Sequence, residues 1–264
     1  MNSNWFDANR ILWDEKTHVH KDSSFYSLKD FIDGKSSLNS IELEGLGDVK
    51  GKSLLHLQCH FGMDTMSWER EGAIVTGVDL SPEAIKLANE TRETLGSSAR
   101  FINCNVYDLE QHLDEEFDIV FTSYGTYGWL PDLKEWARLI MRYLKPGGTF
   151  YLADFHPIVW MYDDDFTFHK YPYHRDEPFE EEISGTYTDR EADIGGKAYY
   201  WNHGFGVLFG ALLEAGLIIQ DFKEYNYSPY PCFNNVVEVA KGQWKIKGKE
   251  DLFPMVFELR ASRG

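Results

Sequence analysis

The segment Ser53–Leu80, SLLHLQCHFGMDTMSWEREGAIVTGVDL, restricts the possible folds more than any other part of the chain. Leu54, Leu55 and Leu57 form a short apolar run with the pattern of a buried strand, and Gln58–Gly62 interrupt it. Met63–Glu71 are compatible with a helix, and Ala73–Val78 are again rich in β-branched residues and end at Asp79. A strand that runs through a tight turn into a helix start presents backbone N–H groups to the polar end of a nucleotide-like ligand. An acid at the end of the following strand can accept both hydroxyls of a ribose. Seventeen positions separate Gly62 from Asp79, close to the roughly 20 expected between such a loop and its ribose acid. The glycines of a dinucleotide fingerprint are mostly missing, because the turn is Gln58-Cys59-His60-Phe61-Gly62.

The same alternation continues downstream. Ser81-Pro82-Glu83 is a helix entry in which serine can cap, proline suits the first turn and glutamate favours the positive end. That helix is predicted to run to about Thr94 and to close at Leu95-Gly96. Arg100–Cys104 is predicted as a third strand and Phe117–Thr122 as a buried fourth. Pro131–Leu144 is predicted as an amphipathic helix, Lys145–Gly148 as a turn and Thr149–Phe155 as a fifth strand. Gly206–Glu214 reads as a helix, Leu217–Tyr225 as a sixth strand and Phe253–Arg260 as a seventh, with a charged connector over Lys241–Asp251. Strands spaced by helices in this way imply an α/β fold with a doubly wound, Rossmann-like sheet.

Two regions fall outside this rhythm. Residues 1–50 carry Trp5, Phe6, Phe25, Tyr26 and Phe31 on one or two expected short helices, a helical cap that could close over a ligand. Residues 158–202 are dense in aromatics and contain the acid runs Asp163–Asp165 and Glu180–Glu182. A hairpin is expected there, formed by Ile183–Thr188 and Lys197–Trp201, as an insertion on the substrate side of a domain spanning 51–264. Composition narrows the partners. A net charge of -17 without a Lys/Arg cluster disfavours nucleic acid, and 43% apolar residues are ample for a core. The three scattered cysteines, Cys59, Cys104 and Cys232, suggest a reducing, cytoplasmic setting. No signal peptide or membrane span is expected. A small-molecule substrate is expected, on a monomer or homodimer.

In order, the stretches HLQCHFGMDT, VTGVDLSPEAI, FINCNVYDL, FDIVFTSYG and YLKPGGTFYLADFHP resemble a class I S-adenosylmethionine-dependent methyltransferase, in particular a bacterial small-molecule branch with an altered glycine loop. The family commonly has acidic-x-Gly-x-Gly-x-Gly there. Here His56 stands at the acid, Gln58 and His60 at the first two glycines, and Gly62 at the last. The resemblance is strong over 50–157, holds in layout over 203–260, and implies a seven-stranded, mostly parallel sheet whose last strand is antiparallel. It implies S-adenosyl-L-methionine as cofactor and methyl transfer to a small molecule. Gln58, Cys59, His60 and Gly62 would line the methionine part, with Gln58 and His60 either contacting the tail or filling the altered turn. Asp79 would take the ribose hydroxyls, with capping of the helix at 81 as the alternative, and Leu80 would cover one adenine face. Asn105 and the Val106 N–H would read the adenine, with Asp108 as competitor and a turn-capping role for Asn105 as the alternative. Thr122, Ser123 and Tyr124 would lie under the transferable methyl group, where the Asn-Pro-Pro-Tyr signature of many nucleic-acid and glutamine methyltransferases is absent. No metal-ligand pattern is evident. His156 and His203 are the candidate general bases on the ligand-binding edge, each with an alternative place in a buried hydrogen-bond network. A non-catalytic binding module of the same fold and a nicotinamide-dependent oxidoreductase are the rival readings.

Overall fold

The computed structural model describes residues 3–264. Three helices come first: α1 (Ser3–His20), α2 (Leu28–Ile32) and α3 (Ser40–Leu46). The alternating core then follows as β1 (Ser53–Leu57), α4 (Met63–Arg70), β2 (Ile74–Asp79), α5 (Pro82–Leu95), β3 (Arg100–Asn103), β4 (Phe117–Ser123), α6 (Leu133–Tyr143) and β5 (Leu144–Phe155). An insertion carries the antiparallel hairpin β6 (Phe179–Ser184) and β7 (Gly195–Tyr200). The chain closes with α7 (Phe205–Glu214), β8 (Leu217–Tyr225), the small hairpin β9 (Val236–Ala240) and β10 (Gln243–Ile246), and β11 (Val256–Arg263).

The main sheet has seven strands in the order β3-β2-β1-β4-β5-β11-β8. β11 is antiparallel to both β5 and β8, while the β1–β2, β1–β4, β2–β3 and β4–β5 pairs are parallel. The fold class expected from the sequence is therefore the one observed, including the antiparallel last strand, the N-terminal helices and the insertion after the fifth strand.

Period-2 alternation builds a core on each face of this sheet. Leu55 and Leu57 of β1, Val120 of β4 and Phe150 and Leu152 of β5 pack with α6 and α7. Leu54, Ile119, Phe121, Tyr151 and Ala153 point the other way and pack with residues of α3 and α4. α5 starts as its sequence dictates, with the Ser81 hydroxyl accepting from the Ala84 N–H and Pro82 in the first turn, and it ends on Gly96 at φ 63°.

Several boundaries depart from the sequence expectation. The fifth strand begins at Leu144, which pairs with Phe117, but the register then jumps to Ile119 with Thr149, so Lys145–Gly148 form an unpaired irregularity at the expected turn, with Gly147 at φ 76°. The last strand is Val256–Arg263, three residues later than expected. The insertion hairpin is Phe179–Ser184 with Gly195–Tyr200, so its first strand starts earlier than Ile183. The charged connector supplies Gln243–Ile246, the second strand of a further hairpin whose first strand is Val236–Ala240. The cap is a long first helix with two short ones, not one or two short helices.

Candidate functional site

The C-terminal ends of β1, β2, β4 and β5 open into a cavity of about 1170 Å³. Its floor is the turn after β1, where Gln58 and His60 both hold positive φ, 57° and 50°, and Gly62 lies at 76°. Left-handed backbone costs a non-glycine residue roughly 1–2 kcal/mol, and contacts made by both side chains offset that cost. Gln58 Nε2 donates to the Thr126 carbonyl at 2.8 Å, tying the turn to the loop after β4. His60 Nε2 lies 2.9 Å from Nδ1 of His20, the last residue of α1. Cys59 is buried beneath the turn, and Gly77 must remain a glycine there because a Cβ would sit 2.8 Å from the Cys59 sulfur. Gly62 is held close in the same way, since a Cβ on it would lie 2.4 Å from the Phe101 ring.

Asp79 ends β2 at the cavity wall. One carboxylate oxygen accepts the His60 N–H at 2.8 Å and the other the Ser81 N–H at 2.9 Å, which fixes the group and leaves each oxygen further acceptor capacity. Burial outweighs these two donors and raises its pKa to about 6. Leu80, Asn105 and Val106 line the cavity beside it. The Asn105 carboxamide oxygen caps the short helical turn Val106–Gln111 by accepting the Tyr107 N–H at 3.1 Å, while its side chain remains on the cavity wall. Asp108 is exposed, bonds Gln111 and is not on that wall.

On the β4 and β5 side, Tyr124 lines the cavity and donates its hydroxyl to Glu42 at 2.8 Å. Thr122 does not reach the wall. It is buried, with its hydroxyl donating to the Leu57 carbonyl and to Thr126. Asp154 holds the β4 loop by accepting from Gly125 and Thr126.

The two histidines expected as bases are both absent from the cavity wall. His156 is buried with Nε2 2.8 Å from Glu224 and Nδ1 accepting the Ile158 N–H at 3.1 Å, so both ring nitrogens are engaged. His203 donates from Nε2 to the Leu130 carbonyl at 2.7 Å, and burial lowers its pKa to about 4. Their positions in sequence, at a strand end and before a helix, are as expected. Their rings turn instead toward the packing between α7 and the sheet, against Phe205 and Tyr127 respectively.

Several residues at the site carry no sequence signal. Asp64, in the first turn of α4, lines the cavity and accepts from the Ser37 and Ser123 hydroxyls, and burial raises its pKa. Glu42 lies behind it, fully buried, with its pKa pushed to about 7 by burial and by Asp64. Tyr26, Tyr124 and Tyr230 line this end of the cavity. Lys16 of α1 is 5% exposed, with its ammonium 4.8 Å from the Trp13 ring and 5.3 Å from the Trp129 ring. No hydrogen bond or ion pair to it occurs among the described residues, and burial lowers its pKa to about 8. These groups converge through tertiary contacts, with the cap supplying Lys16, Tyr26 and Glu42.

The cap is locked over the site. Asn9 pairs with both backbone groups of Tyr199 on β7, at 2.7 and 2.9 Å. Asp14 accepts the Ser81 hydroxyl at 2.6 Å, just beyond Asp79. Tyr26 and Tyr187 meet through their hydroxyls at 2.5 Å, joining the cap to the insertion.

Known proteins share this fold. Residues 55–152 match the family described as methyltransferase domain. A crystal structure of an S-adenosylmethionine-dependent methyltransferase from Clostridium acetobutylicum superposes with a TM-score of 0.59 over 96% of this chain and 99% of that one, at 16% identity. The fold is that of the class I S-adenosylmethionine-dependent methyltransferases. An uncharacterized methyltransferase of Synechocystis sp. is 32% identical over 133 residues, half of this chain and 60% of that protein. A ubiquinone biosynthesis O-methyltransferase of Xanthomonas oryzae pv. oryzae is 31% identical over 120 residues, 44% of this chain and 50% of that protein. The chain thus spans only about half to three-fifths of the length of these curated methyltransferases. Among the described residues, no group of side chains is arranged to hold a metal ion, and no helix is long and apolar enough to cross a membrane.

Proposed function

We propose that the chain is an enzyme that transfers a methyl group from S-adenosyl-L-methionine to a small-molecule acceptor, as a member of a small-molecule branch with an altered glycine loop. The observation that carries this reading is Asp79. It is a carboxylate at the end of β2, fixed by two backbone N–H groups and facing a roofed cavity with acceptor capacity left.

The residues present fit the cofactor. Gln58 Oε1 is buried without a partner, a vacant acceptor on the turn that would meet the methionine tail. Asp79 would bind the ribose hydroxyls, Leu80 would cover the adenine, and Asn105 with the Val106 N–H would read its edge. When bound, S-adenosyl-L-methionine supplies an electrophilic methyl on a sulfonium. The protein's task is then to align a nucleophile and exclude water, which positioning alone can achieve. With His156 engaged at both ring nitrogens, and His203 off the cavity wall although its Nδ1 has no partner, positioning is the better account than general-base catalysis by either of them.

Enclosure by α1 and the insertion supports a small acceptor over a macromolecule. Asp64, Glu42 and the surrounding tyrosines disfavour a polyanion at that end and favour a neutral polar or mildly basic molecule. Calorimetry with S-adenosyl-L-methionine and S-adenosylhomocysteine, followed by a methyl-transfer screen over small amines, phenols, thiols and carboxylates, tests the reading. Saturable binding of both nucleosides with transfer to a small acceptor is expected. Binding of a nicotinamide cofactor and of neither nucleoside would overturn it.

A further inference from the structure

Lys16 lacks a partner where one is needed. A buried ammonium without a counter-ion is costly, and contact with two indole faces recovers only part of what hydration supplied. The other basic side chains on the cavity wall, Lys35, Arg190 and Lys241, are exposed to solvent. Lys16 is thus the buried cation of this cavity, aimed into it from the inner face of α1 and uncompensated among the described residues.

Its neighbours locate it. Trp13, whose ring it touches, packs at 5.4 Å against the His60 ring and at 5.4 Å against Trp129. The His60 N–H in turn is bound to Asp79. Lys16 therefore stands near the turn that follows β1, where its charge reaches His60 and His20. The buried carboxylate Asp64 is held instead by hydroxyls of Ser37 and Ser123.

We propose that Lys16 is the counter-ion for the α-carboxylate of the cofactor's methionine tail, supplied by the cap and not by the sheet. This rests on the cofactor reading above. Charge accounting selects the group: the cofactor carries a sulfonium, an ammonium and one carboxylate, so the carboxylate is its only anion. One buried cation in the cavity meets one anion in the ligand. Because Lys16 belongs to α1, the same contact makes cap docking and tail recognition a single event.

The test compares two ligands that differ only in the tail. S-adenosylhomocysteine carries the amino-acid carboxylate, and 5′-methylthioadenosine has the same nucleoside and sulfur without it. Each is titrated calorimetrically into the wild type, Lys16→Met and Lys16→Gln, with circular dichroism confirming that the variants are folded. Loss of a charge-assisted contact is expected to weaken S-adenosylhomocysteine about 10- to 100-fold and to leave methylthioadenosine within about twofold. Parallel weakening of both ligands would make Lys16 a support for the cavity wall and overturn the proposal. Unchanged S-adenosylhomocysteine affinity in either folded variant would overturn it as well, while wild-type binding of both ligands would leave the cofactor reading standing. Failure of the wild type to bind either nucleoside would overturn the cofactor reading and this inference together.

Discussion

Replacing His60 by glycine separates two opposing effects at the turn after β1. The residue holds φ 50°, so glycine would release roughly 1–2 kcal/mol of left-handed strain, less the roughly 0.5–1 kcal/mol that glycine loses in backbone entropy. Against this stands the His60–His20 hydrogen bond at 2.9 Å. Nε2 of His20 is already buried without a partner, so the variant would leave the whole His20 ring unsatisfied, at roughly 1–3 kcal/mol. The His60 ring also packs edge-on against Trp13, Tyr26 and Phe61, with centroids 5.4, 5.5 and 4.3 Å away. Such aromatic contacts contribute roughly 0.5–1.5 kcal/mol each. The losses win, and His60→Gly is expected to destabilise the protein by about 1–7 kcal/mol, centred near 4 kcal/mol. Gln58→Gly gives up one 2.8 Å hydrogen bond and an acceptor that is already orphaned, so its net change is expected to lie within about 1 kcal/mol of zero. Equilibrium urea unfolding gives both values, and hydrogen exchange in Ser3–His20 reports whether the cap loosens. A His60→Gly variant as stable as Gln58→Gly, with unchanged exchange in the cap, would refute the idea that these side chains offset their backbone strain through contacts.

Three further outcomes follow from the site. Asp79→Ala is expected to weaken S-adenosylhomocysteine by about 1.5–3 kcal/mol in a folded protein; an unchanged dissociation constant by calorimetry would remove Asp79 from the ribose role. Glu42→Gln is expected to be increasingly stabilising as pH rises. The folded pKa of Glu42 is raised to about 7 from 4.5, so the cost of ionising it appears as pH climbs through that interval and is fully present above it, up to about 3 kcal/mol. A melting-temperature difference between variant and wild type that is flat from pH 5 to pH 8 would contradict this. His156→Ala and His203→Asn are expected to lower stability while leaving the pH profile of kcat unaltered; loss of an ionisation from that profile in either folded variant would restore the histidine as a base.

The sheet was legible because its strands are short, apolar and separated by helix caps and breakers, as in Leu54–Leu57, Ser81-Pro82 and Leu95-Gly96. Asp79 was legible because a strand end and the distance from a loop locate it. The start of the fifth strand at Leu144 was not, since only its pairing with Phe117 extends the strand past the break that Pro146, Gly147 and Gly148 signal. Burial and hydrogen bonding hid the rest. His156 and His203 have the right residue type at the right edge, yet Glu224 and the Leu130 carbonyl, distant in sequence, turn their rings away from the cavity. Lys16, Glu42 and Asp64 are unremarkable in an acidic chain, and become notable only where the cap buries them beside the β1 and β4 loops.

A crystal structure of the protein with S-adenosylhomocysteine tests the central claim most directly. The account predicts the adenosine in the cavity under α1, both ribose hydroxyls within hydrogen-bond distance of the Asp79 carboxylate, and the sulfur facing the enclosed space between Tyr124 and the insertion. A nucleoside bound elsewhere on the molecule, or one whose ribose makes no contact with Asp79, would contradict it.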